Sequence, residues 1–229
     1  MKKNVMMRVA SIMLVLVLMS SSVISGTFAK YVTSGESKDM ARVAKWGVVI
    51  TGQADMFKTE YDAKDNAATG LTGKSVVSAD TIHGRNKLLA PGTEGKLTDI
   101  AMSGTPEVQV EVKFKSNFDI GGWMLNGTEY YCPIVIDIDG TEIYGMSYAT
   151  EEAFEAAVNA AIESFTANYE ANKNLAEVAT NNAPTVSWNW AFHRDAEHDA
   201  KDTILGNQAA AGNPATIDLT VTCTITQID

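Results

Sequence analysis

The chain has 229 residues, and its 28 Asp and Glu outnumber its 18 Lys and Arg, which gives a net charge of −10. An acidic surface repels nucleic acid and anionic lipid, so we expect neither as a partner. The two cysteines, Cys132 and Cys223, are too few and too far apart in sequence for a zinc-type cysteine site.

The first 29 residues follow the order of a secretory signal peptide. Three basic residues stand at the start, the run Val9–Val23 is apolar and uncharged, and the small residues of "TFA" end at Ala29. We predict cleavage between Ala29 and Lys30, which leaves residues 30–229 as one exported domain. The alternative is an uncleaved membrane anchor, although the apolar run is shorter than the ~20 residues of a typical span. Cleavage removes three basic residues and takes the net charge to −13.

Several short segments after residue 45 alternate apolar and polar residues, which is typical of half-buried antiparallel strands. The clearest are "EVQVEVKFK", "TVSWNWAF" and "TIDLTVTCTITQID", and "WGVVIT" and "YYCPIVIDI" add two more. The residues that we expect on their inward faces are Val108, Val110, Val112, Phe114, Val186, Trp188, Trp190, Phe192, Ile217, Leu219, Val221, Cys223 and Ile225. Cys132 and Cys223 both point inward in this interpretation, so they either form one disulfide or remain two buried thiols.

Turn dipeptides separate these strands. Asn126-Gly127 and Asp139-Gly140 favour hairpin turns because both positions tolerate a positive φ, and Pro91-Gly92 predicts a turn within "LLAPGTEGKL". Repeated strands with such turns predict a mainly β protein, an antiparallel β-sandwich. The segments "DAKDNAATGLTGK" and "GNQAAAGNPA" are interpreted as exposed loops.

One segment has helical rather than strand periodicity. Thr150 is suited to cap a helix, and two glutamates follow it, where they favour the positive end of the helix dipole. The spacing predicts one inserted amphipathic helix over about 150–172, whose apolar stripe contains Phe154, Val158, Ala161, Ile162, Phe165 and Tyr169. We expect this stripe to pack on the sandwich, and the alternative is that a partner covers it.

The order of these features resembles the TasA/camelysin family of exported proteins of Gram-positive bacteria. The shared features are a signal sequence ending in "GTFA", a polar segment directly after it, the turn "LLAPGTEGKL", the strand "VQVEVKFK" and a final threonine-rich strand. The resemblance implies processing by a signal peptidase of the SipW type, a jelly-roll β-sandwich and assembly into fibres of an extracellular biofilm matrix. It also implies that the N-terminal segment of one subunit completes the sheet of the next.

A candidate donor segment follows the expected cleavage site. Its apolar residues Tyr31, Val32, Val43 and Trp46 are set among polar ones, and main-chain hydrogen bonds could add such a segment to an unpaired strand edge. The alternative is that Lys30–Ala41 is a frayed tail and that 43–51 pairs within its own subunit.

The sequence carries no pattern from which we would assign a catalytic residue, a metal or a cofactor. The cluster "FHRDAEHD" contains His193, Asp195, Glu197, His198 and Asp199, but a spacing of five between the histidines does not match H-E-x-x-H, so we interpret it as a solvated loop. Asp137, Asp139 and Glu142 do not complete a calcium-loop pattern and indicate a hairpin turn. Trp123, Trp188 and Trp190 are more typical of a core than of a sugar-binding platform.

We therefore expect an exported structural protein that associates with itself, contacts a signal peptidase during processing and touches a membrane only through its uncleaved signal. The first alternative is a monomeric cell-surface binding module or accessory anchor protein. The second is an enzyme, a metalloprotease of the camelysin type.

Overall fold

The computed structural model describes residues 42–52, 56–62, 73–79, 81–82, 84–97, 100–192 and 194–228. The chain divides into two units, Met1–Arg42 and Val43–Asp229, and every helix and strand described below belongs to the second. The predicted cleavage site at Ala29 and Lys30 and the donor residues Tyr31 and Val32 lie outside the described residues. No described helix has the length and apolar character that crossing a membrane requires.

The longest strand pair in the described structure is formed by strands β6 (Val110–Gly121) and β13 (Thr216–Gln227). They pair antiparallel over twelve residues each, from Val110 opposite Gln227 to Gly121 opposite Thr216. A short strand, β11 (Ala167–Tyr169), pairs with Val110–Val112 on the other side of β6, so the sheet order is β11–β6–β13. The predicted alternation is confirmed on β6, where Val110, Val112 and Phe114 are buried.

A second antiparallel sheet has the order β10–β9–β12–β4, with β4 at Glu94–Lys96, β9 at Ile134–Ile138, β10 at Thr141–Tyr144 and β12 at Val186–Trp190. Its inner face alternates as predicted, since Ile134, Ile136, Ile138, Val186, Trp188 and Trp190 are buried. The prediction for Phe192 was wrong: β12 ends at Trp190, and Phe192 is 76% exposed.

Three two-stranded ribbons complete the β structure of the described residues. They are β1 (Val49–Gly52) with β5 (Ile100–Ser103), β2 (Glu60–Asp62) with β3 (Lys74–Val77), and β7 (Met124–Leu125) with β8 (Glu129–Tyr130). The predicted hairpin turns are confirmed between β7 and β8 and between β9 and β10. Asn126, Gly127, Asp139 and Gly140 all have positive φ there, between 50° and 83°.

One hydrophobic core joins residues of both larger sheets, including Phe114 and Phe118 from β6 and Ile136 and Trp188 from the other sheet. The fold is therefore mainly β and antiparallel, as predicted, and it is consistent with a β-sandwich. The jelly-roll topology stays a prediction.

The predicted helix is confirmed as α1 (Glu151–Glu163), although it is shorter than 150–172. Thr150 caps its start by accepting a hydrogen bond from the Ala153 N–H, and Phe154, Val158 and Ile162 are buried against the core. The helix ends before residue 172 because residues 167–169 form β11, whose main chain pairs with β6.

Two further helices were not predicted: α2 (Leu175–Asn182) and α3 (Ala196–Ala210). Asn174 caps α2, and Asp195 caps α3 by accepting a hydrogen bond from His198 N at 2.9 Å. The loop interpretations of "FHRDAEHD" and "GNQAAAGNPA" were therefore wrong in part, because α3 begins within the first segment and ends within the second.

Candidate functional site

The strongest candidate site in the described structure is the contrast between the two edges of the β11–β6–β13 sheet. On the β6 side, β11 pairs with only the first three residues of the strand. Beyond that point, polar side chains of α1 form hydrogen bonds with main-chain groups of β6. Asn159 accepts a hydrogen bond from Phe118 N at 2.9 Å and donates one to Phe118 O at 3.3 Å.

The same helix continues this capping to the end of β6. Glu155 Oε1 accepts a hydrogen bond from Ile120 N at 2.8 Å, and Glu151 Oε1 accepts one from Trp123 N at 2.8 Å. Glu151, Glu155 and Asn159 are four residues apart and therefore share one face of the helix. Side chains of α1 therefore close this edge of the sheet from Phe118 to Trp123.

The other edge of the sheet is formed by β13. The hydrogen bond from Ile228 N to Gln109 O continues the β6–β13 register, in which residues 228 and 109 are opposite each other. Hydrogen-bonded pairs alternate in an antiparallel ladder, so the even-numbered residues of β13 bond to β6. The odd-numbered residues, 217 to 227, therefore direct their N–H and C=O groups away from β6. Among the described residues, no strand or side chain pairs with these groups.

The composition of β13 leaves this edge unprotected. Proteins usually shield an edge strand with lysine, proline, a bulge or a covering element. β13 contains neither lysine nor proline, its register with β6 is continuous, and its one charged side chain is Asp218. Leu219, Val221 and Ile225 lie half-buried toward the core, while the threonines at 220, 222, 224 and 226 are exposed. Such a strand favours the addition of another strand.

The structure narrows the candidate donor segment. Val43 is 91% exposed and Trp46 is 40% exposed. Lys45 already exchanges hydrogen bonds with Glu107 of the same chain: Lys45 N donates to the Glu107 carboxylate, and Glu107 N donates to Lys45 O, both at 2.9 Å. β1 then pairs with β5, which matches the alternative of pairing within the subunit. A donor segment must therefore lie before Lys45, and Trp46 falls outside it.

The histidine cluster shows a structural role for its described members. His198 lies in α3, not in a loop, with Nδ1 2.6 Å from Asp195 Oδ2. The main-chain hydrogen bond from His198, together with the one from its ring, holds the pKa of Asp195 below its usual value. His193 lies outside the described residues, as does His83. Within the described residues, no three His, Cys, Asp or Glu side chains are grouped so that they could hold a metal ion.

The remaining candidates also have structural roles. Asp137 accepts a hydrogen bond from Gly140 N at 3.0 Å and so closes the turn between β9 and β10, as predicted for Asp137, Asp139 and Glu142. The three tryptophans Trp123, Trp188 and Trp190 are each at most 6% exposed, so none offers an open face to a sugar. They are core residues, as expected.

Both cysteines are free thiols in the structure, which matches the second of the two alternatives. Cys132 is fully buried beside Gly145, and burial raises the pKa of its thiol to about 12. Cys223 is half-buried, with Sγ 3.6 Å from Met102 Sδ, and burial raises its pKa to about 11. Neither thiol is activated as a nucleophile, because a raised pKa keeps it protonated at neutral pH.

The two edges of the sheet are not apparent from the strand patterns of the sequence. The signal for the closed edge is present, because Glu151, Glu155 and Asn159 recur with helical spacing beside the apolar stripe.

Comparison of the chain with protein-family models, with curated proteins and with solved structures finds no match. The resemblance to the TasA/camelysin family therefore stays a prediction that rests on the quoted motifs.

Proposed function

We propose that this chain is an exported structural subunit that assembles into extracellular fibres, such as those of a biofilm matrix, by strand addition at the free edge of β13. The observation that carries the proposal is the difference between the edges. α1 caps the β6 edge at Phe118 and Ile120, whereas the main-chain groups of six β13 residues have no partner among the described residues. The proposal assigns no catalytic residue.

The free edge is long enough to hold a neighbouring subunit. Each added main-chain hydrogen bond contributes about 0.5–1.5 kcal/mol net, so a strand that engages most of the six residues gains several kcal/mol before its ordering cost. The half-buried faces of Leu219 and Val221 would lose further water contact as the added strand covers them.

The donor that we propose is the segment 30–44 of a neighbouring subunit, released at its start by cleavage after Ala29. Its 15 residues extend over about 50 Å at ~3.3 Å per residue, whereas the 12 residues of β13 span about 40 Å. Side chains alternate along an added strand, so Tyr31 and Val43 supply apolar side chains for the core-facing side and Val32 lies on the opposite face. In this proposal the signal peptide delays assembly until the protein has left the cell.

The first experiment compares the sedimentation of three proteins: residues 30–229, residues 45–229, and residues 26–229, which keep Gly26–Ala29. Val43 and Ala44 are exposed, and the hydrophobic core and the residues packed against it begin at Val48, so all three retain the described core. We expect polymers from the first, monomers from the second and slower or absent assembly from the third. Electron microscopy of the first sample should show fibres.

Two results would contradict the proposal. Polymers from residues 45–229 would show that segment 30–44 is not the donor. Monomers from all three proteins, across salt and pH, would favour the monomeric surface module.

A further inference from the structure

A groove of about 450 Å³ lies at the end of the described unit where β13 begins. Three parts of the chain supply most of its lining: residues 82 and 84–91, the second half of α3, and residues 214–218. Its volume falls within the range of sites that bind small molecules. Of the six β13 residues proposed above to accept a strand, Ile217 alone also lines it.

Apolar side chains form most of the wall of this groove. Phe57, Leu88, Leu89, Leu205 and Ile217 all line it. Trp123 and Trp190 contribute at its base, with ring centroids 5.7 Å apart. These tryptophans are almost wholly buried, so neither offers the groove an open ring face on which a sugar would stack. The wall therefore fits an aliphatic chain better than a carbohydrate.

Two basic and two acidic side chains line the groove, namely Arg85, Lys87, Asp202 and Asp218, and their charges sum to zero. Asp218 is paired with Arg85. Asp202 uses both carboxylate oxygens, which accept hydrogen bonds from the Tyr131 hydroxyl at 2.7 Å and from Trp190 Nε1 at 3.2 Å. Lys87, which also lines the neighbouring cleft beside β2, has no ion pair within the described part of the chain. An anionic group placed beside Lys87 would supply the ion-pair partner that this side chain lacks in the described part of the chain.

We infer that this groove binds an amphiphile with a single aliphatic chain and a carboxylate head, that is, a fatty acid. The chain lies along the apolar wall toward Trp123 and Trp190, and the carboxylate stays at the rim near Lys87. Binding strengthens with chain length, by up to about fourfold for each methylene that the groove covers.

Gly206 offers a substitution that blocks the groove without disturbing the fold. It lies in α3 and lines the groove, and a Cβ built on it meets no atom within 4 Å. We expect Gly206→Leu to place its larger side chain in the groove, and Gly206→Ala is its matched control. Both replace a helical glycine with a better helix former, so a failure to fold is not expected.

The test uses residues 30–229 and 11-bromoundecanoate, because bromine quenches tryptophan fluorescence on contact. All of these proteins carry Trp46→Phe as a common background, because this substitution removes the fluorescence of the exposed tryptophan. We expect saturable quenching in this background and with Gly206→Ala, and an affinity at least tenfold weaker with Gly206→Leu. Lys87→Gln should weaken binding of the acid about two- to fivefold and leave binding of 11-bromoundecanol unchanged.

Three results would overturn the inference. They are quenching that does not saturate, saturable quenching that survives Gly206→Leu, and an alcohol that binds as tightly as the acid. Binding by residues 45–229 but not by residues 30–229 would also overturn it, because the N-terminal segment would then be the occupant.

Discussion

The side chain of Asn159 binds the main chain of Phe118 through both of its polar atoms, at 2.9 Å to the N–H and 3.3 Å to the C=O. An amide side chain in this position replaces the main chain of a neighbouring strand. The Ser116 hydroxyl also donates a hydrogen bond to Asn159 Oδ1, at 2.7 Å, so Asn159 contacts both Ser116 and Phe118 of β6. At this point a helix thus closes a part of the sheet edge that would otherwise accept a strand.

We expect Asn159→Ala to lower the free energy of unfolding by about 1–3 kcal/mol, because it leaves the main-chain groups of Phe118 without partners. Urea denaturation of residues 45–229 measures this, since that protein is expected to stay monomeric. Asn168→Ala is the control, because Asn168 is exposed on β11 and its side chain makes no hydrogen bond in the described structure. Equal effects of the two substitutions would mean that the capping contributes nothing.

Val221→Pro should abolish assembly of residues 30–229 while leaving the fold intact. Val221 is odd-numbered, so its N–H points to the free edge and is not needed by β6. Proline removes that donor and is tolerated on edge strands. Val221→Ala shortens the same side chain but keeps the N–H. Sedimentation should therefore show monomers for the proline variant and polymers for the alanine variant, with matching circular dichroism spectra.

If both Val221 variants polymerise equally, the free edge of β13 is not the assembly site. If both stay monomeric and folded, the loss comes from the missing side chain and not from the main-chain donor. The comparison separates these outcomes because the two proteins differ in one N–H group and the proline ring.

Much of the β structure could be predicted from local patterns. Val110, Val112 and Phe114 alternate because one face of β6 is buried, and Asn126-Gly127 marks a hairpin because both residues adopt positive φ. α1 was detected because its apolar stripe is strong. α3 was missed because it buries only Leu205, so little helical periodicity is left in its sequence. Its cap, Asp195, was visible but was interpreted as part of a loop.

The edges of the sheet could not be predicted from the sequence. Whether β13 has one neighbour or two depends on pairing between residues about a hundred positions apart. The groove is equally non-local, since it combines Leu88, Trp123 and Leu205 from three separate segments. Phe192 shows the same limit, because the alternation continues past Trp190 although the strand does not.

Gly95→Ala should be among the most destabilising small substitutions in this chain. A Cβ on Gly95 would lie 1.9 Å from Met56 O and 2.6 Å from Trp188 Nε1. These two atoms are joined by a buried hydrogen bond of 2.9 Å, so the new methyl group must break it or move β4. We expect a loss of about 2–4 kcal/mol in the free energy of unfolding.

Gly206→Ala is the matched substitution for Gly95→Ala. Its new methyl group meets open space in a helix, so we expect a gain of about 0.5–1 kcal/mol. Thermal unfolding of the Gly95→Ala and Gly206→Ala proteins measures both changes in stability. A Gly95→Ala protein as stable as the wild type would show that β4 and the Met56 segment do not approach as closely as the structure indicates.

The free energy of unfolding should fall as the pH rises above about 9, in part because of the two thiols. Burial raises the pKa of Cys132 to about 12 and that of Cys223 to about 11, from an ordinary thiol value of 9.0. The folded state therefore holds these protons where the unfolded state releases them. Their contribution is complete below pH 9, and it is lost progressively as the pH rises through 11 and 12.

Urea denaturation at pH 8 and at pH 10.5 measures this effect, with Cys132→Ala/Cys223→Ala as the control. Tyr130 and Tyr131 also have pKa values raised by burial, so both proteins lose stability at high pH. The wild type should lose more than the double variant, because only it releases thiol protons on unfolding. Equal losses in the two proteins would mean that the thiols are not buried in the folded state. Rapid labelling of both cysteines by iodoacetamide at pH 8, before urea is added, would lead to the same conclusion.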